Sequence, residues 1–173
     1  MKKYLHDFDR QLERQLALLE SDQISPKNKE TIRSFYNYKF SMGIGVPRLI
    51  RIIGTLRIAA VGIGKDFSEA TRSDFERFVV SMRTRYASAQ SIDTHINGIK
   101  NFYRWLNGGE YPECVKWMKE SRKKSRKLPE DMLTQEEVKA LLLNVKNRRD
   151  KALVSLLWES GARIGEIGGS LLA

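Results

Sequence analysis

An all-α fold is predicted for this chain of 173 residues. Three observations carry the prediction. Apolar residues return every three or four positions through most of the length, the period of a helix with one buried stripe. No stretch alternates apolar and polar residues over a strand length between turn signals. Ser, Thr and Pro stand where such stripes begin, and Gly where they end. A composition of 41% hydrophobic and 30% charged residues is that of an ordinary folded protein, and the length can bury a real core in one or two domains.

The elements follow in order. A first helix over 2–20 aligns Leu5, Phe8, Leu12, Leu16 and Leu19 on one stripe. Ser25-Pro26 opens the second, with Ser as N-cap and Pro at the first helical position. Ile32, Phe35, Tyr36 and Phe40 recur along it up to Gly43 and Gly45. Pro47 opens a third, with Leu49, Ile53, Leu56 and Ala60 inward, and VGIGKDF closes it. Thr71 or Ser73 caps a fourth, whose apolar face is Phe75, Phe78, Val79, Met82 and Tyr86. Ser88 or Ser91 starts a fifth, with Ile92, Ile96, Ile99, Tyr103 and Leu106 inward, ended by Asn107-Gly108-Gly109. Pro112 begins a short helix carrying Val115 and Trp117.

The composition then shifts. Lys119 to Lys127 holds six basic residues and nothing large and apolar, and reads as an extended linker ended by Leu128-Pro129. Thr134 and Glu137 form a capping box for a helix with Val138, Leu141 and Leu142 on its stripe. Another helix, from about Arg149, carries Ala152, Leu153, Leu156 and Leu157 to a break at Gly161. The expected organisation is a helical domain over 1–118, a basic linker over 119–131 and a short helical piece over 132–173. That last piece is too small for an independent domain. Its apolar residues, Trp158 among them, are expected to be partly exposed, and to dock on the helical domain or drive weak self-association of an otherwise monomeric chain.

Several function classes are excluded. One cysteine rules out a disulfide framework and a cysteine-rich zinc site. His6 and His95 are the only histidines, and neither has a second ligand at useful spacing. No cofactor is expected: there is no GxxxxGK[ST], and no strand precedes a GxGxxG. No apolar run approaches the roughly 20 residues that cross a bilayer. The amino-terminal MKKYLHDFDRQLERQ lacks the apolar core of a secretory signal, so a cytoplasmic protein without a membrane partner is expected.

Charge is the positive signal. The net charge is +10, and residues 1–127 hold 25 Lys+Arg against 14 Asp+Glu while residues 128–173 hold 6 against 7. A basic region suits a polyanion, since each phosphate neutralised releases condensed counterions. In the fifth helix Gln90, Thr94, Asn97, Asn101 and Arg104 fall on the face opposite the apolar stripe, with Lys100 at its flank. Amides, a hydroxyl and cations on one face suit phosphates and base edges, though they also make an ordinary solvated face. Arg48, Arg51 and Arg57 flank the third helix in the same way. Arg122, Lys123, Lys124, Arg126 and Lys127 in the linker form either a phosphate-tracking strap or a soluble tether. Arg163 precedes Glu166 by three residues, so one helical turn lets the carboxylate orient a guanidinium that grips a phosphate oxygen. The bland alternative is a surface ion pair.

At LTQEEVKALL and NRRDKALVSLLWESGARIGEIGG the chain closely resembles the opening of the catalytic domain of the tyrosine recombinases, the phage integrase and Xer family. Upstream, SPKNKETIRSFYNYKFSMGIG, GIGKDFSEATRSDFERFV and IKNFYRWLNGGEYPECVKWMK are similar to the archaeal branch. The resemblance runs from about residue 25, and ESGARIGEI is its most specific part.

The resemblance implies that residues up to about 118 are a SAM-like core-binding helical domain gripping one face of a double-stranded DNA recombination site. The linker would pass along the DNA to the catalytic domain. Arg163 matches the family's first catalytic arginine, which contacts the scissile phosphate, and Glu166 the acidic residue that supports it. Family chemistry, used in DNA integration and recombination, is transesterification through a 3′-phosphotyrosyl intermediate by tetramers on paired DNA, without metal or cofactor. The family's hairpin lysine, His-x-x-Arg box, later His or Trp, and nucleophilic tyrosine all follow that arginine. Here the tyrosines from Tyr4 to Tyr111 all precede Arg163, and Ser170 onward departs from the pattern. The expectation is therefore a DNA-binding portion of a recombinase that does not itself transfer strands. Two other readings stay open: a stand-alone DNA-binding regulator derived from an integrase fragment, and a helical protein-interaction module.

Overall fold

A computed structural model describes residues 7–86, 88–119 and 132–170. The chain divides into two compact units, Phe8–Lys124 and a second drawn from Ser125–Ala173 with Met1–Asp7. Every regular element among the described residues is a helix, so the fold is all-α. Leu5 and His6 lie outside the described residues, as does all of the linker from residue 120 to 131.

The larger unit runs α1 (Phe8–Ser21), α2 (Pro26–Ser41), α3 (Val46–Ile63), α4 (Arg72–Arg85), α5 (Ala89–Leu106) and α6 (Glu113–Lys116). The start signals lie where the residue types place them. Ser25 Oγ accepts the Asn28 N–H at 3.2 Å, and Pro26 follows as the first residue of α2. Of the two candidates before α4 it is Thr71 that caps, its N–H donating to Asp74 at 2.9 Å; before α5 it is Ser88. Gly64 ends α3 at φ +68°, a left-handed conformation that disfavours any side chain, and its N–H donates to the Ala60 carbonyl.

Central α3 packs against α1, α2, α4 and α5, and buries Leu49, Ile53, Leu56, Ala59 and Ala60. Around it stands a cluster of rings. Phe35 and Phe102 meet edge to face at 5.3 Å, Phe67 lies 4.8 Å from Phe102, and Phe75 5.2 Å from Tyr103. The loop after α3 is pinned from both sides. Asn28, buried at the start of α2, donates to the Lys65 carbonyl at 2.9 Å and accepts the Phe67 N–H at 2.8 Å. The Tyr103 hydroxyl donates to the Phe67 carbonyl at 2.9 Å. These buried polar groups are thereby satisfied, as burial demands.

Two residues of the sequence stripes point outward. Phe40 is 58% exposed and stacks on Tyr36 rather than entering the core. It stands five residues past Phe35, about 140° around the helix from it and about 80° from Ile32, to one side of the buried row. Leu106, at the last turn of α5, is also exposed.

The smaller unit holds α7 (Gln135–Asn144), α8 (Arg148–Ser160) and α9 (Ile164–Ser170). Thr134 and Glu137 make the reciprocal capping box: the Thr134 N–H donates to Glu137 at 2.7 Å, and the Glu137 N–H to Thr134 at 3.2 Å. Val138 is buried, whereas Leu141, Leu156 and Trp158 are exposed, and α8 has no fully buried residue.

Candidate nucleic-acid interface

The site forms where α3 and α5 come close. Gly98 permits the approach: a Cβ there would stand 2.9 Å from the Thr55 methyl. Beside that contact the two helices and the end of α2 enclose a cleft of about 510 Å³. Its apolar part is Phe35, Ile44, Pro47 and Ile52. Its polar part takes Lys39 from α2, Arg48, Arg51 and Thr55 from α3, and Thr94, Asn97 and Asn101 from α5. Three cations and no carboxylate line it.

Helical spacing explains the assembly. Arg48, Arg51 and Thr55 follow one another at three and four residues along α3, and Thr94, Asn97 and Asn101 do the same along α5. Arg48 and Arg51 are exposed, and neither pairs with a carboxylate among the described residues. Lys39 lies over the rings of Phe35 and Tyr38, 5.2 and 5.3 Å from their centroids. That contact sets the ammonium itself against the two rings, at the wall of the cleft. Thr94 Oγ1 donates to the Gln90 carbonyl at 2.9 Å, and Asn101 Nδ2 to the Asn97 carbonyl at 2.9 Å.

The predicted polar face therefore divides. Thr94, Asn97 and Asn101 meet at the cleft, whereas Lys100 and Arg104 are turned to the segment after α5. Lys100 Nζ donates to the Met118 carbonyl at 2.9 Å, and Arg104 Nε to the Gly109 carbonyl at 2.7 Å. Both cations lie over the Tyr111 ring, at 5.1 and 5.6 Å. Long side chains near the helix end meet the returning chain before they meet a ligand. Arg57 is likewise committed, paired with Asp22. Arg48 and Arg51 separate from it by helical phase, a signal present in the sequence. Lys39 carries no such signal, because only the tertiary fold brings α2 to the cleft. Arg122, Lys123, Lys124, Arg126 and Lys127 lie outside the described residues.

Arg163 and Glu166 are both exposed at the start of α9. The Glu166 carboxylate accepts the Arg163 backbone N–H at 2.8 Å, and no ion pair joins it to the Arg163 guanidinium among the described residues. The expected carboxylate–guanidinium pair is thus replaced by a helix cap. Three residues into a helix a carboxylate is aimed at the unpaired N–H groups of the first turn. The guanidinium is left to solvent.

Other reactive types lie apart from the cleft. His95 is half-buried against Tyr86, with ring centroids 5.2 Å apart, and burial lowers its pKa. Cys114 is half-buried in α6, and burial pushes its thiol pKa up. No group of three or more potential metal ligands occurs among the described residues. No helix among them is long and apolar enough to cross a membrane.

No protein-family model matches the chain, and no solved structure does. Curated proteins do match, two tyrosine recombinases among them. Tyrosine recombinase XerD of Oceanobacillus iheyensis is 32% identical over 106 residues, covering 58% of this chain and 35% of that protein. Tyrosine recombinase XerA of Pyrococcus horikoshii is 28% identical over 116 residues, covering 65% of this chain and 39% of its own length. Over these stretches the chain is similar to tyrosine recombinases. The matched stretch spans less than two-fifths of either recombinase. Only the second of these recombinases is archaeal, and it is the less similar of the two, which gives the archaeal branch weak support.

Proposed function

We propose that this chain is a DNA-binding part of a tyrosine recombinase, with double-stranded DNA held at the cleft between α3 and α5. The observation that carries the reading is the cleft's composition: Lys39, Arg48 and Arg51 converge there without a carboxylate. Unpaired guanidinium groups spaced along a helix suit successive phosphates, and the amides opposite suit base edges. The kinship with recombinases makes a duplex the natural polyanion.

In this reading the helices up to about residue 118 form the SAM-like core-binding domain. The basic linker over 119–131 follows the DNA, and residues 132–173 open a catalytic domain. The exposed Arg163 guanidinium contacts the scissile phosphate, and Glu166 acts by capping α9, which holds the Arg163 backbone in place. Full-length relatives would work as tetramers on paired sites in the cytoplasm. The six tyrosines all precede Arg163, and none takes the nucleophile's position. A suicide duplex is therefore expected to leave no protein covalently attached, and a covalent adduct would refute this assignment of roles.

The direct test is a titration of the chain against a labelled mixed-sequence duplex at about 50 and 200 mM salt. Three phosphate contacts alone weaken binding about fortyfold across that range, and a contribution from the linker makes the loss steeper. Affinity indifferent to salt would turn the reading toward a helical protein-interaction module. Preference for an inverted-repeat site fits a recombinase origin, and binding to a single unpaired site fits a stand-alone regulator.

A further inference from the structure

The side chains that α5 sends to the cleft are not equivalent. The Thr94 hydroxyl proton is spent on the Gln90 carbonyl, and one Asn101 amide proton on the Asn97 carbonyl. The Asn97 carboxamide makes no hydrogen bond within the described residues. It is half-buried, next to Gly98, where α5 closes on α3. The backbone beneath it is therefore held in place by the contact with Thr55, and its oxygen and its amine both remain available.

A group that presents one acceptor and one donor side by side matches one base edge in the major groove. Adenine offers the N6 amine as donor and N7 as acceptor, and a carboxamide meets both at once. Guanine presents two acceptors there, and cytosine only its amine. A lysine or arginine at this position would favour guanine; the asparagine does not.

Resting on the duplex binding proposed above, we infer that Asn97 is the specificity-determining residue of this surface, reading an adenine in the major groove. Arg48 and Arg51 hold the neighbouring phosphates and carry no sequence information.

The test selects bound duplexes from a randomised pool with the full chain, then repeats the selection with Asn97→Ala and Asn97→Asp. Wild type should enrich adenine at one position, and replacing that base should weaken binding roughly tenfold or more. Asn97→Ala should flatten that position and leave the salt dependence unchanged. Asn97→Asp keeps the shape, loses the donor, and should shift the preference toward cytosine, whose amine a carboxylate accepts. Arg48→Ala and Arg51→Ala should weaken every sequence alike and each reduce the salt slope by about one. Circular dichroism of each variant separates these effects from loss of fold. An Asn97→Ala protein that keeps the wild-type base preferences overturns the inference while duplex binding stands. A wild-type chain that binds no duplex at low salt removes both.

Discussion

Asp74 is the residue whose surroundings say most about its charge. It is buried at the start of α4, yet it accepts hydrogen bonds from the Thr71 N–H at 2.9 Å and the Thr71 hydroxyl at 2.8 Å, and pairs with Lys65 at 3.0 Å and with Arg77. The Thr71 backbone bond, then its hydroxyl, then Lys65 hold the carboxyl far below the usual carboxylate range. A depressed pKa in the fold means stability that is fully present above about pH 4 and is lost as pH falls toward the folded value. Asp74→Asn should therefore lower the melting temperature at pH 7. The gap between variant and wild type should narrow as pH falls below about 4, where the carboxyl of the unfolded wild-type chain takes up a proton while the folded one stays ionised. A gap constant from pH 6 to pH 2 would refute this account. Phe102, fully buried and in contact with the rings of Phe35, Phe67 and Tyr103, has a plainer role. Phe102→Ala should cost about 3–5 kcal/mol in denaturant unfolding. A loss below about 1 kcal/mol would mean the ring cluster is not the core.

Helix packing sets the next scale, and glycines mark its closest points. A Cβ on Gly62 would stand 2.5 Å from the Phe78 ring, inside any real carbon contact. Gly62→Ala should destabilise by roughly 1–3 kcal/mol through that overlap, even though alanine favours the helix by about 1 kcal/mol. Phe78→Leu in the same chain should recover part of the loss, and strict additivity of the two changes would disprove the contact. Most elements could be read from the sequence because their signals are local. Ser25-Pro26, Thr71, Thr134 with Glu137, and the row of Leu49, Ile53 and Leu56 depend only on near neighbours and helical period. Phe40 follows Tyr36 at a helical spacing of four, yet it lies to one side of the buried row, a phase that a string of apolar residues does not display. The cleft was half legible. Thr94, Asn97 and Asn101 follow from periodicity, but the capture of Lys100 and Arg104 by Tyr111 and the chain beyond it depends on where a glycine turn sends the backbone. Glu166 shows the same limit: spacing places a carboxylate near Arg163 but does not say whether it bonds the side chain or the backbone.

Taken whole, the molecule concentrates its buried surface in the first unit. Leu49, Ile53, Phe35, Phe75 and Phe102 are all at or near zero exposure, whereas α8 buries no residue fully and Leu143 on α7 is 83% exposed. Amide hydrogen exchange should therefore be slowest in α3 and α5 and clearly faster in α7 and α8. Equal protection in the two units would show that α7 and α8 are covered by something these contacts do not include. Charge divides the chain along the same line, since the excess of cations lies before residue 128. Cys114 adds a practical consequence. It is the sole thiol of the chain, and it sits half-buried in α6, which packs against α4 and α5. Burial keeps it protonated at neutral pH and slow toward alkylating reagents. Its rate of labelling is thus an internal clock for the lifting of α6, readable without introducing a single mutation. Slowing of that clock by added duplex would time, in one tube, how firmly a bound ligand holds the domain shut.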